Sequence, residues 1–440
     1  DRSRGLGDVY KRQGTNSMGK SRNARWLPTW NISGRWNLDE EAFFQPIKKI
    51  VSHAALKLSY SLTGDRGPGL SNSTAIIASS SPFRPFTSVQ ESGLILSTLG
   101  NDELTYEKKT EFNLGIDLGF LENRINVAMD VYTRDNHDLI GTTRTQGVGG
   151  EIAKFANIAS MKSHGFELSI SSNNIKTKDF SWNTDFIYSI YKNEVTDLNA
   201  IATTMDYVSG TGFTMVGYPH RGLFSIPFAG LDSNGIPMFY NEKGEITSTD
   251  LSFQSSDDFS WLKYEGPTEP TFTGSLGNSF TYKNVHLNVF FTYSGGNVVR
   301  LDPVFSYRYS DLTATTREFK NRWMVPGDEN RTNVPTILSY RQYYENAELR
   351  NAYSAYNYST ERVAKGGFIR LKEISVAYDF PKKWLSALKV SNVSLKLQAT
   401  NLCLLYADKK LNGQDPEFVN SGGVASPVPR QFTMTLRLGL

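Results

Sequence analysis

The chain has 440 residues, a formal net charge of +3, 39% hydrophobic residues and a mean hydropathy of −0.39. The near-neutral charge excludes a partner recruited through a strongly basic surface, such as a nucleic acid. Cys403, the single cysteine, excludes an internal disulfide framework and a thiolate metal cluster, and His53, His137, His164, His220 and His286 are too far apart in sequence to suggest a zinc pair. Low hydropathy suits a soluble protein of two or three domains. It equally suits a membrane β-barrel, where only every second strand residue faces lipid and no long apolar run is needed. The aromatic content of 12%, with 22 Tyr and 26 Phe, matches interface girdles and contact loops.

In chain order, residues 1–13 stand apart. Asp8-Val9-Tyr10-Lys11-Arg12-Gln13 looks like the translated end of a sequencing adaptor, and the stretch, with Arg2, Arg4, Lys11 and Arg12 against Asp1 and Asp8, carries +2 of the net charge of +3, so it is set aside from fold reasoning. The native chain is then expected to extend further upstream. Residues 24–36 form the weakest strand, irregular or edge-like because of Pro28 and Gly34. In 53–63, Leu56, Leu58, Tyr60 and Leu62 alternate with Lys57, Ser59, Ser61 and Thr63. Segments 112–120, 124–134, 165–172, 180–191, 271–281, 285–293, 367–380 and 392–402 follow the same strand-like pattern. The last segment, 431–440, alternates without a break: Phe432, Met434, Leu436, Leu438 and Leu440 project to one side, and Gln431, Thr433, Thr435, Arg437 and Gly439 to the other. Such a chain end fits the closing strand of an outer-membrane barrel.

The connections alternate in length. Leu121-Glu122-Asn123 and Tyr282-Lys283-Asn284 are tight turns, and 173–179 and 381–391 are modest ones. Between them lie long connections at 64–111, 135–164, 192–270, 294–366 and 403–430. A compact soluble domain rarely accommodates five structureless loops of this size, whereas a barrel places short turns on the periplasmic side and long loops outside. Asp232-Ser233-Asn234-Gly235 has part of a calcium-loop pattern but lacks the later Glu and the first half, so it reads as a plain turn. Gly147-Val148-Gly149-Gly150 has no strand and helix around it and is not a phosphate cradle.

Several phrases resemble the C-terminal part of the SusC/RagA-like TonB-dependent transporters of Bacteroidetes outer membranes. They are Asn113-Leu114-Gly115-Ile116-Asp117-Leu118-Gly119-Phe120 with Asn123-Arg124-Ile125-Asn126 and Asp130-Val131-Tyr132; Asn157-Ile158-Ala159-Ser160-Met161 with Gly165-Phe166-Glu167-Leu168; and Gly230-Leu231-Asp232 with Gly235. Asn321-Arg322-Trp323 with Pro326-Gly327-Asp328-Glu329, Phe368-Ile369-Arg370-Leu371-Lys372 with Tyr378 and Pro381, Asn401-Leu402, and Asp415-Pro416-Glu417 complete the series in order. The chain departs from the family at Ser163-His164-Gly165, where Asn-x-Gly is usual, and at Leu440, where Phe is usual. Nothing in it resembles the family's carboxypeptidase-like domain, TonB box or plug.

The resemblance implies an all-β fold: about eleven antiparallel strands spanning 14–440, the C-terminal half of a large transmembrane β-barrel of about 22 strands, open as a fragment. It implies TonB-dependent import of large nutrients, oligosaccharides and sometimes peptides, across the outer membrane, with a SusD-like surface lipoprotein over the long loops and TonB engaging the missing N-terminal part. Outer-membrane lipid surrounds the wall, and no cofactor or nucleic acid is implied. Tyr307, Tyr309, Tyr340, Tyr343, Tyr344, Tyr353, Tyr356 and Tyr358 crowd the connection 294–366. Rings beside polar groups suit sugar faces or a partner's interface, and they also suit simple packing of the loop or an interfacial belt. An enzyme is disfavoured, because no nucleophile elbow, zinc signature or kinase-type loop is present. A receptor or adhesin barrel without active transport is the alternative.

Overall fold

The computed structural model describes residues 6–15, 27–66, 76–81, 83, 88–98, 101, 103–147, 153–254, 258–304, 316–381, 383, 390–419 and 427–439. Twelve strands form one continuous sheet whose order follows the chain. They are β1 (Leu6–Thr15), β2 (Leu27–Asn37), β3 (Val51–Asp65), β4 (Glu107–Phe120), β5 (Ile125–Arg144), β6 (Ala153–Lys176), β7 (Phe180–Leu198), β8 (Phe272–Tyr282), β9 (Val285–Gly295), β10 (Phe368–Asp379), β11 (Asn392–Ala407) and β12 (Gln431–Gly439). Every neighbouring pair is antiparallel. Among the described residues β12 pairs only with β11 and β1 only with β2, so the sheet is open, as the sequence predicts.

The eleven strands expected in 14–440 are present as β2 to β12. One expectation needs correction: residues 6–15, set aside from fold reasoning, pair with β2 from Leu6 opposite Trp36 to Thr15 opposite Leu27, so the N-terminal edge of the described sheet is β1 and not the 24–36 stretch.

Register places the apolar residues of the wall in continuous rungs on one face. Leu56, Ile116, Met129 and Leu168 lie opposite one another across β3 to β6, while Leu287, Val376, Leu397 and Met434 do so across β9 to β12. Asp117, Ala128, Ser169, Ser275, Thr292 and Arg370 occupy the other face. Among the described residues no second sheet covers the apolar face: Leu58, Val131, Val376 and Leu397 are each between 42% and 52% exposed. A soluble sandwich would bury these positions, whereas a lipid-facing barrel wall exposes them to acyl chains.

The two ends of the wall differ. Connections 121–124, 177–179 and 283–284 lie at one end, and the first of them holds Leu121, Glu122 and Asn123 all at positive φ near 52–61°. At the other end β5, β6 and β7 run to 20, 24 and 19 residues. A tilted strand crosses the hydrocarbon with about 9–11 residues, so these strands project well beyond it. The connections 199–271 and 296–367 are not structureless loops. They fold together into a body with its own core, in which Tyr207, Phe224, Ile226, Phe239, Val304 and Tyr356 are buried. The apolar core thus sits outside the bilayer span, while the span wears its apolar residues outward.

Candidate functional site

Three arginines tie the connections together, Arg300 and Arg362 within the loop body and Arg370 from the wall to the β11–β12 connection. The short strands Val298–Arg300 and Val363–Lys365 pair at its base. Arg300, 4% exposed, is held without a carboxylate: Nη1 donates to Ser225 Oγ at 3.1 Å and Ser359 O at 2.8 Å, and Nη2 donates to Phe224 O at 2.7 Å and Val208 O at 3.2 Å. Burial pushes its pKa down to about 10, which still leaves it charged at neutral pH. Arg362 donates to Glu318 and to Asp302 O. Arg370, on the polar face of β10, donates to both Asp415 oxygens at 2.6 Å and meets Glu417 Oε2 at 2.7 Å, tying the β11–β12 connection to the wall.

Where this body meets the polar face lies an open cleft of about 620 Å³, bordered by Arg221, Glu269, Thr273, Thr292, Lys372 and Glu417. Its walls present donors, acceptors and both signs of charge, a lining suited to a hydrated polar solute.

The predicted tyrosines separate into two groups. α1 (Thr204–Val208), α2 (Tyr340–Glu345) and α3 (Ala347–Asn357) belong to the loop body. Ser339 and Gln342 form a reciprocal capping box that starts α2, and Asn346 caps α3 by accepting from Glu348 N and Leu349 N. α3 turns Ala352, Tyr353, Ala355 and Tyr356 inward. Tyr353 Oη donates to Thr336 O at 2.7 Å, Tyr356 packs edge-on to Phe228 at 5.7 Å, and Tyr358 lies against Phe253 at 6.3 Å. Burial raises the pKa of Tyr353 and of Tyr356. These rings build the core.

Tyr340, Tyr343 and Tyr344 do the opposite. Tyr340 is 78% exposed, its ring 4.3 Å from that of Tyr344, which lies 5.3 Å from Tyr343. Arg350 lies 5.6 Å from the Tyr343 ring centroid and donates to Tyr343 O at 3.0 Å. The outcome is a three-ring patch on the outer surface. Tyr307 and Tyr309 lie outside the described residues.

Asp232 Oδ1 accepts from Asn234 N and from Ile236 N, both at 2.8 Å, so its carboxylate closes a turn. Arg221, Glu269 and Lys372 at the cleft were not among the residues the sequence pointed to. Arg221 and Glu269 come from the connection 199–271 and Lys372 from β10, and no local pattern marks them.

No family model matches the chain. It is 26% identical over 432 residues to TonB-dependent receptor P3 of Formosa agariphila, covering 92% of the chain and 40% of that protein. It is 27% identical over 455 residues to TonB-dependent receptor SusC of Bacteroides thetaiotaomicron, covering 96% of the chain and 40% of that protein. The chain therefore spans about two fifths of the length of these relatives. Among solved structures, the RagAB peptide transporter superposes with a TM-score of 0.74 at 21% identity, over 99% of this chain and 46% of that one. These relatives are receptors and transporters rather than enzymes. With its antiparallel wall, outward apolar rungs and segregated turns, the chain is similar to the outer-membrane barrel wall of SusC/RagA-like TonB-dependent receptors.

Proposed function

We propose that this wall belongs to an importer that moves large nutrients, oligosaccharides or peptides, through the outer membrane with energy relayed by TonB. The observation that carries the reading is the asymmetry of the wall. Tight turns close one end, and a folded body of long connections stands over a polar face and a cleft of about 620 Å³ at the other. A SusD-like lipoprotein sits over that body as a lid, and the exposed rings of Tyr340 and Tyr344, with the half-buried Tyr343 beside them, are available to it or to the substrate. Peptide transport is what the RagAB neighbour is described as doing, and it supports a peptide as one substrate class. We further propose that residues 1–13 are foreign to the native protein and that plug and TonB box are encoded upstream.

Two measurements test this reading. The genomic reading frame upstream of residue 14 should encode a plug and a TonB box, and a frame that begins at the barrel would favour a receptor or adhesin. A strain deleted for the complete gene should lose growth on one oligosaccharide or peptide source that the parent uses, and unchanged growth on all of them would overturn the transport reading.

A further inference from the structure

A chain of polar side chains crosses the apolar face near the tight-turn end. Ser172 Oγ on β6 donates to Asn174 Oδ1 at 2.9 Å, and Asn174 Nδ2 donates to Thr184 Oγ1 on β7 at 2.6 Å. Thr184 Oγ1 donates to Asn278 Oδ1 on β8 at 2.8 Å, and Trp182 Nε1 donates to the same oxygen at 2.9 Å. An indole N–H can only donate, so the Asn278 amide oxygen is fixed toward Trp182 and its NH₂ group must point away. Every hydrogen bond in the chain runs toward Asn278, and among the described residues its Nδ2 has no acceptor. Its opposite neighbours on the far side, Val289 and then Ile374, offer none from their side chains.

The level in the membrane follows from the rungs. Asn278 and Thr184 share a rung with Val289; on the turn side lies the rung of Trp182, Phe280 and Leu287, with Trp182 stacked on Phe280 at 5.7 Å. On the other side the rung is wholly apolar: Phe186, Leu276 and Phe291. Asn278 is four residues from Tyr282 at the end of β8, which at ~3.3 Å per residue and a tilt of ~40° puts it roughly 10 Å from the turn. Aromatic rings mark the interface, so the free amide lies just inside it, at the depth of glycerol esters and phosphates. Lys176, Lys178 and Lys283 flank the turns there, with Asp179 as the nearby acid; among the described residues these lysines make no ion pair.

We propose that Asn278, Trp182 and Thr184 form a binding site for a glycerophospholipid of the periplasmic leaflet, whose ester or phosphate oxygen accepts from Asn278 Nδ2. A buried or lipid-facing amide needs a partner, and ester and phosphodiester oxygens accept without donating. The site presents the converse: one amide donor, Asn278 Nδ2, left over after Trp182 and Thr184 have donated to its oxygen, with cations at the headgroup level.

The test uses the complete protein extracted from the outer membrane in detergent, stripped of lipid and titrated with phosphatidylethanolamine or phosphatidylglycerol, with bound lipid counted by native mass spectrometry. Asn278→Leu should lower the affinity of the tightest-held lipid roughly tenfold, the loss expected for one hydrogen bond to a charged or strongly accepting oxygen. Thr184→Val keeps the outward shape and removes one of the two donors that hold the Asn278 oxygen, leaving Trp182 Nε1, so it should lower affinity by a smaller factor. Lipid retention equal to the parent in both variants overturns the site. Displacement of the lipid by inorganic phosphate at matched concentration overturns the assignment to a lipid.

Discussion

Arg370 and Asp415 meet at 2.6 Å although 45 residues separate them, and both side chains are less than 10% exposed. The pair anchors the β11–β12 connection to the polar face of the wall, with Glu417 as a second carboxylate at 2.7 Å. Arg370→Leu leaves two carboxylates facing each other without a cation. Breaking a buried pair from one side costs about 3–5 kcal/mol, so residues 408–419 should detach locally. Hydrogen exchange should show those amides deprotected while β10 and β11 stay protected. Unchanged exchange in 408–419 would show that the pair does not hold the connection.

The facing of β9 yields a paired prediction. Val289 lies between Asn278 and Ile374 on the apolar face, and its neighbour Asn288 lies between Ser279 and Ser375 on the polar face. In the complete protein Val289→Arg puts a charge on the lipid face just inside the interface and should impair barrel insertion by less than the roughly 2–4 kcal/mol of a midplane site, while Asn288→Arg should assemble normally. Heat-modifiable gel mobility of the outer-membrane fraction reads both. Equal assembly of the two removes the assignment of faces.

Exposed and buried tyrosines should respond differently to truncation. Tyr356→Ala removes a ring from the loop-body core and should cost about 3–5 kcal/mol, seen as protease sensitivity of 316–365. Tyr340→Ala with Tyr344→Ala should leave protease resistance intact and weaken binding of the surface partner or the substrate. Retained uptake in the double variant would remove these rings from the site.

Alkaline pH should open the loop body. Burial pushes the Tyr264 hydroxyl up to about 12 and also raises Tyr353 and Tyr356. Above about pH 10 the unfolded body loses tyrosine protons that the folded body keeps, so the unfolded state binds fewer protons and stability falls with rising pH. The contribution is complete below about pH 10 and is lost as pH rises through about 12. Tyrosinate absorbance should rise in one cooperative step across that window while the far-ultraviolet circular dichroism of the wall persists. A gradual, non-cooperative rise from about pH 10 would show these hydroxyls to be open to solvent.

The sequence by itself determined the wall. A two-residue period is a local property: once Leu56, Leu58 and Tyr60 alternate with Lys57 and Ser59, the two faces follow, and short turns such as 283–284 set the register of the next strand. Where the period breaks, sequence reading stopped early. The stretch 135–164 was expected to be a connection, yet β5 and β6 run through it. The pairing slips between Asn136 and Leu139, with Asp138 at a φ of 56°, and this bulge disguises the alternation.

Only the tertiary structure decided the loop body and its cleft. Arg300 reaches Ser225 across 75 residues, Arg370 reaches Asp415 across 45, and Tyr356 is buried because β-strands, short helices and turns from two separate connections converge on it. Tyr340 and Tyr356 read alike in sequence, as aromatic residues in one polar segment. Which faces solvent depends on long-range burial around α3, and no periodic signal along the chain encodes a surface assembled from several distant segments.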